Sequence, residues 1–321
     1  MEENKTMSPQ LQKIHAAIEE METVVVGKHR EMILLMTAML SGSHVLIEDV
    51  PGTGKTSLAA TMSRVMGMEF HRAQFTPDIM ASDITGFNIY NRQKEMFEFR
   101  SGLVMCNLLL ADEINRASPK TQSALLEAME EGRVTVDGET YPMPEPFMVI
   151  ATQNPTGYVG TYPLPEAQLD RFAFKLNMGY PSNGEEVEIL RARRGQNPME
   201  KVRQMLSTED IVAAKEQVAN VKLEDSLYTY IVALIAATRH HKSFSLGASP
   251  RASVALMRLS QAYAYLRGRD YVLPDDIAGL YRIAVAHRVI LTQEAKLNHV
   301  TVNAVLDEIF RSVEVPYLGK K

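Results

Sequence analysis

Apolar positions along the chain fall into two rhythms. Leu11, Ile14, Ile18 and Met21 recur at the spacing of one helix face and end at Val24-Val25-Val26-Gly27. A second helical stretch, from about Glu31 to Ser41, leads into Val45-Leu46-Ile47. That short run and two others, Leu108-Leu109-Leu110 and Met148-Val149-Ile150-Ala151, lack polar alternation, as strands buried on both faces do. Helical stretches separate the runs, so the pattern predicts a parallel sheet wrapped by helices, an α/β fold. The rhythm changes near Pro181-Ser182-Asn183-Gly184. Beyond it no strand pattern is seen, only helices at about 185–194, 208–217, 224–240, 250–267, 274–287 and 300–313. The C-terminal part is therefore expected to be a separate, all-helical domain.

The first apolar run feeds Pro51-Gly52-Thr53-Gly54-Lys55-Thr56-Ser57, and Leu58-Ala59-Ala60 opens a helix. Strand, glycine turn and helix in that order suit a phosphate. Glycines let backbone N–H groups approach the oxygens, and the helix N-terminus adds positive potential. Lys55 would reach the β- and γ-phosphates of ATP, and the Thr56 hydroxyl would bind Mg²⁺. Asp49 stands where the usual eight-residue pattern begins with glycine. An unpaired acid beside phosphate is unfavourable, so Asp49 is expected to turn away. The plainer reading is a glycine turn with a chance lysine, which the strand–turn–helix context disfavours.

The second run delivers Asp112 and Glu113 at a strand's C-terminal edge, where α/β sheets bind ligands. Asp112 can hold Mg²⁺, directly or through water, and Glu113 can act as general base toward water. The third run ends in Gln153-Asn154-Pro155. Asn154 suits a hydrogen bond to the attacking water or the γ-phosphate, although Asn-Pro alone reads as a turn.

Composition narrows the partners. Of 321 residues, 34 are Lys or Arg and 39 Asp or Glu, a net charge of −5 that argues against coating nucleic acid by bulk charge. A local basic groove stays open. Arg191, Arg193 and Arg194 read as a solvated helix face. The single cysteine, Cys106, excludes an intrachain disulfide and zinc sites built on cysteine pairs; it fits a reducing, cytoplasmic setting and reads as a small buried filler. Met1 to Gln10 is polar, without the pattern of a signal peptide, and no run of about 18 uncharged apolar residues suggests a membrane span. Asn4-Lys5-Thr6 matches a glycosylation acceptor, which has no meaning without secretion.

Phosphate loop, acidic strand and Asn-ended strand in this order resemble an AAA+ P-loop module. Two hairpins narrow the likeness. Gly86–Tyr90 and Met96–Arg100 pair around Asn91–Glu95, and Arg133–Tyr141 turns at Asp137-Gly138. The clade with these insertions includes MoxR proteins, magnesium chelatase ATPase subunits and replicative helicases. Glu48–Gly52, Gln74–Asp78, Asp112–Ala117 and Glu166–Phe172 look like the MoxR family specifically, and the likeness runs from about Val24 to His287. It implies an AAA+ αβα core with an N-terminal helix and two hairpins over residues 1–180, and a helical lid over 181–321. It also implies roles for single residues. Val26-Gly27 match the segment beside adenine, and Asn154 the first sensor. Arg171 matches the arginine finger, which enters the neighbouring subunit and has no charge to meet in its own. Arg251, in Gly247-Ala248-Ser249-Pro250-Arg251, matches the second sensor at the γ-phosphate. The bland alternative for each arginine is an ordinary ion pair.

MoxR relatives are chaperone-like ATPases that remodel or mature protein complexes, often with a von Willebrand A domain partner. That partner's Asp-x-Ser-x-Ser metal site is missing here, so a separate protein would supply it. A ring, expected as a hexamer, would act on a client complex the sequence does not identify. The hairpins read equally as mechanical surface or as rigid subunit contact. A chelatase-type motor, a DNA-dependent motor and a nucleotide-gated scaffold remain the alternatives; intact Glu113 and Asn154 argue against the last.

Overall fold

The computed structural model describes residues 8–50, 52–154, 160–192 and 198–317. Pro51, Pro155, Arg193, Arg194 and Asn4-Lys5-Thr6 lie outside them. The chain runs through α1 (Pro9–Glu22), α2 (His29–Leu40), β1 (Val45–Glu48), α3 (Lys55–Val65), β2 (Phe70–Gln74), α4 (Ala81–Thr85), β3 (Gly86–Asn91), β4 (Met96–Ser101), β5 (Leu108–Asp112), α5 (Pro119–Glu131), β6 (Arg133–Val136), β7 (Glu139–Pro142), β8 (Met148–Gln153), α6 (Glu166–Leu169) and β9 (Phe174–Leu176). Then follow α7 (Asn183–Ala192), α8 (Thr208–Ala219), α9 (Asp225–His240), β10 (Phe244–Leu246), α10 (Pro250–Leu266), α11 (Pro274–Val285), β11 (Ile290–Leu291), α12 (Gln293–Leu297) and α13 (Val302–Ser312).

Five strands form one parallel sheet in the order β2-β5-β8-β1-β9. The three apolar runs of the sequence are its three inner strands. Their side chains alternate between two cores. Val45, Ile47, Leu108, Leu110, Met148 and Ile150 face one; Leu46, Leu109, Ala111, Val149 and Ala151 face the other, with Cys106 fully buried in that second core. Alternation is the pleat of any strand, and here both faces meet apolar helices. The second core is closed by α5. The first continues from α1, α2 and α3 into α8, α9, α10, α11 and α13 without interruption. The helical C-terminal region therefore packs its apolar faces into the core on this side of the sheet.

One sequence expectation needs correction. Strand structure does continue past Pro181: β10 and β11 pair antiparallel as a short ribbon among the lid helices. The sheet also has two edge strands, β2 and β9, that no apolar run announced. Both expected hairpins form, β3 with β4 and β6 with β7. Asp137 (φ 50°) and Gly138 (φ 87°) make the two-residue turn with both residues left-handed, as a hairpin's twist requires. Ser-Pro opens α1, α5 and α10. In each the serine hydroxyl accepts a backbone N–H of the first turn, while proline at the first position loses no bond. Among the described residues no helix is long and apolar enough to cross a membrane.

Candidate active site

β1 ends at Glu48, and the chain turns through Gly52 and Gly54, both at φ 89°, into the N-terminus of α3. Only glycine adopts that backbone without strain, and a Cβ at either would meet nothing within 4 Å, so the space over the loop is open. That open space lies at the N-terminus of α3, where unpaired N–H groups favour an anion. Lys55 Nζ donates to the loop's own carbonyls, Val50 O at 2.9 Å and Asp49 O at 3.1 Å. Burial lowers its pKa, against the opposing pull of Asp49, Asp112 and Glu113. The lysine thus lies within electrostatic reach of both acidic residues that end β5. Asp49 does turn away: its buried carboxylate accepts the N–H groups of Val50, Met178 and Gly179. It pins the loop to the segment after β9.

Beside the loop lies a pocket of about 130 Å³ lined by Val24, Val25, Val26, Gly52, Thr53, Gly54, Ser57, Pro181 and Ile189, among others. Aliphatic side chains from Val24, Val25, Val26 and Ile189 make up part of its walls, beside the polar Lys28, Thr53 and Ser57. Val26 is in the lining. Gly27 (φ 75°) is next in the chain, and a Cβ there would lie 2.0 Å from Glu185 Oε1 of α7. Ile189, contributed by α7, could not be foreseen from its exposed-looking helix.

Asp112 and Glu113 leave β5 in different directions. Asp112 is buried; it accepts from Arg72 Nε (2.8 Å) and from Thr152 Oγ1 (3.3 Å). Glu113 takes a left-handed backbone (φ 57°), a strained state for a non-glycine residue. Its N–H donates to the same Thr152 Oγ1. Its carboxylate accepts from Asn154 Nδ2 (2.9 Å) and Arg116 Nη1 (3.0 Å). Burial pushes the Glu113 pKa up, but hydrogen bonds from Arg116, Asn154 and Gln74 outweigh it and hold the carboxyl below its usual range. The group is therefore ionised at neutral pH, and Asn154 is brought against it. Thr56 is half-buried in the first turn of α3. Among the described residues no cluster of three His, Cys, Asp or Glu could hold a metal, so an ion between Thr56 and Asp112 would need phosphate oxygens to complete its shell.

Arg171 and Arg251 are elsewhere. Both line a cavity of about 420 Å³ with Gly42, Ser43, His44 and Glu130. Gly42 to His44 lead into β1, whereas the glycine loop leaves it, so loop and arginines lie at opposite ends of that strand. Four residues of strand at ~3.3 Å each put roughly 13 Å of sheet between them. The expectation that Arg171 meets no charge in its own chain is overturned. Its Nη1 lies 3.1 Å from Glu130 Oε2 and donates to Leu126 O at 2.7 Å. Arg251 pairs with the other oxygen of the same carboxylate. The partners Arg72, Arg116 and Glu130 carried no sequence signal, because each meets its mate only through the fold or a helical turn.

Comparison with known proteins gives the same outline. Residues 44–174 match the ATPase family associated with various cellular activities (AAA), and residues 236–309 match the AAA lid domain. The chain is similar to YeaC, an uncharacterised Bacillus subtilis protein, at 51% identity with 94% of each chain covered. It is 41% identical to the chaperone MoxR1 of Mycobacterium tuberculosis, over 98% of this chain and 85% of that one. Among solved structures, a candidate ATPase from Cytophaga hutchinsonii superposes with a TM-score of 0.89 at 39% identity, covering 96% of each chain.

Proposed function

The chain belongs to the MoxR family of AAA+ ATPases, and from that premise we propose that it hydrolyses ATP at sites shared between neighbouring subunits of a closed ring. The free energy would drive chaperone-like remodelling or maturation of a partner protein complex.

In this reading the slot beside Val26 and Gly27 takes adenine. The loop from Pro51 through Gly52, Thr53, Gly54, Lys55 and Thr56 to Ser57 takes the phosphates. A Mg²⁺ held by Thr56 and Asp112 would draw charge from the β- and γ-oxygens. Glu113 accepts a proton from water as its oxygen attacks the γ-phosphorus, and the bond to the bridging oxygen breaks to leave ADP and phosphate. Asn154 orients Glu113 or the water. Arg171 and Arg251 of the adjacent subunit meet the γ-phosphate, where a guanidinium offsets the charge spread over the transferring group.

One observation carries the shared-site part: within a chain, the arginine cavity and the glycine loop sit at opposite ends of β1. Neither arginine serves its own loop, but a head-to-tail contact brings one subunit's cavity to the next subunit's loop, and such contacts close into rings. A hexamer, a von Willebrand A domain partner, a client complex and a cytoplasmic setting belong to the same proposal, supported by the family, the chaperone relative and the single buried thiol.

Mixing two inactive variants tests the shared site. Arg171→Ala and Glu113→Gln should each bind ATP and turn over slowly, by about 10²-fold or more for the base and about 10³-fold or more for the finger. In a mixed ring, an Arg171→Ala subunit keeps Glu113 and borrows Arg171 from its neighbour. ATPase activity should therefore return, and peak near equal amounts. Background activity at every ratio, with subunit exchange shown independently, would reject the shared site.

A further inference from the structure

Two arginines from distant parts of the chain end on one carboxylate. Glu130 lies in the last turn of α5. Its Oε2 faces Arg171, which follows α6, and its Oε1 faces Arg251, the second residue of α10. A second carboxylate fixes the backbones behind them. Asp170, which precedes Arg171, accepts from Arg288 Nε at 2.7 Å and from Ser249 Oγ at 2.6 Å. Ser249 Oγ in turn accepts the N–H of Arg251 at 3.1 Å. The guanidinium of Arg288 is buried and donates to the carbonyls of Asp170, Phe172, Ala173 and Ala284, which joins lid to sheet at this point.

An arginine side chain has many rotamers to lose, and two guanidiniums at close range repel. A carboxylate between them offsets the repulsion and restricts both. An isolated surface ion pair would be worth little. Here the carboxylate gathers two cations into a cavity, and Arg171 Nε is buried there without a hydrogen-bond partner. A buried donor without a partner calls for an explanation, and in this cavity an incoming oxygen supplies one.

We propose that Glu130 is a positioning residue of the shared site, holding Arg171 and Arg251 side by side so that each subunit presents its neighbour with a preset two-arginine grip on the γ-phosphate. This rests on the shared-site reading above. Its energetic basis is preorganisation: groups already placed where charge develops lose no freedom at the moment of reaction.

The test uses the full chain with Glu130→Ala, Glu130→Gln and Glu130→Asp. Glu130 is partly exposed, so these variants should fold; circular dichroism checks it. Glu130→Ala should lower kcat by roughly 10- to 100-fold, the scale of a misplaced group, while KM and binding of a labelled ATP analogue stay within about twofold. Glu130→Asp, which keeps the charge, should recover more turnover than the size-matched Glu130→Gln. Mixed with Glu113→Gln, the Glu130→Ala subunit should regain activity, because its own Glu113 then meets a neighbour's intact arginine pair. A role confined to its own subunit's fold gives no such recovery and would overturn the proposal. So would unchanged turnover, or a rise, which would mean that Glu130 competes with the phosphate. The Arg171→Ala and Glu113→Gln mixture runs alongside. If that mixture fails, the shared site and this proposal fall together; if it recovers and the Glu130→Ala mixture does not, only this proposal falls.

Discussion

Glu113 is a proposed base held in check. Arg116 and Asn154 both donate to its carboxylate and depress its pKa, the wrong direction for a strong base and the right one for an ionised carboxylate. Arg116→Ala removes the largest of the lowering contacts. The Glu113 pKa should then rise toward the ordinary carboxylate value, and the acid limb of the kcat–pH profile should move to higher pH with it. If the limb stays in place, the Arg116 contact is broken before hydrolysis and belongs only to the resting protein. The proposed site is partly legible in the sequence at this scale. Lys55, Asp112 and Glu113 announce themselves because loop and strand end are local arrangements that short patterns encode. Arg72 and Arg116, which decide how the carboxylates behave, do not. Arg72 lies 40 residues from Asp112 and reaches it only because β2 pairs with β5.

At the scale of elements the same split follows burial. β5, β8 and β1 are inner strands covered on both faces, so they read as unbroken apolar runs. β2 and β9 are the sheet's edges, and their sequences, Phe-His-Arg-Ala-Gln and Phe-Lys-Leu, carry the polar residues an exposed edge favours. β10 and β11 span three and two residues, too short for any alternation to show. The hairpins were legible one by one, but their union was not. The Phe99 and Tyr141 rings stack at 3.9 Å and 8°, and Asn88 Nδ2 donates to Asp137 Oδ2 at 2.8 Å. The β3–β4 and β6–β7 hairpins are therefore docked on each other, while Tyr90, Met96 and Phe97 of the first stay exposed. Tyr141→Ala should cost about 1 kcal/mol of the ring–ring contact. Amide exchange should quicken in both hairpins together, residues 86–101 and 133–142, with the inner strands unchanged. Faster exchange in the β6–β7 hairpin alone would show that the two move independently.

Across the whole molecule, sheet and lid share a core, and two buried histidines sit near the join. His44 accepts the N–H of Val149 at Nδ1 and meets Met129 O through Nε2; burial brings its pKa down from 6.5 to about 4. His287 meets Phe172 O, and burial with nearby Arg288 brings it to about 3. Both are neutral in the folded protein and take up protons more readily when unfolded. Their contribution to stability is thus complete above pH 6.5 and is lost as pH falls from there toward 4, about 3 kcal/mol for His44 alone. Urea unfolding at a series of pH values should show that decline, and His44→Gln should flatten it; an equal slope in both proteins would rule His44 out as its source. The separation of glycine loop and arginine cavity along β1 has a consequence of another kind. If the site is shared as proposed, a subunit that gives at one end and takes at the other cannot treat its two neighbours alike. In a ring closed through those ends every subunit faces the same way round, so the assembly has a clockwise and an anticlockwise that are physically different. In such a ring each hydrolysis would act on the neighbour behind through the arginines and on the neighbour ahead through the loop, and any wave of turnover would inherit a fixed direction of travel from the geometry of one strand.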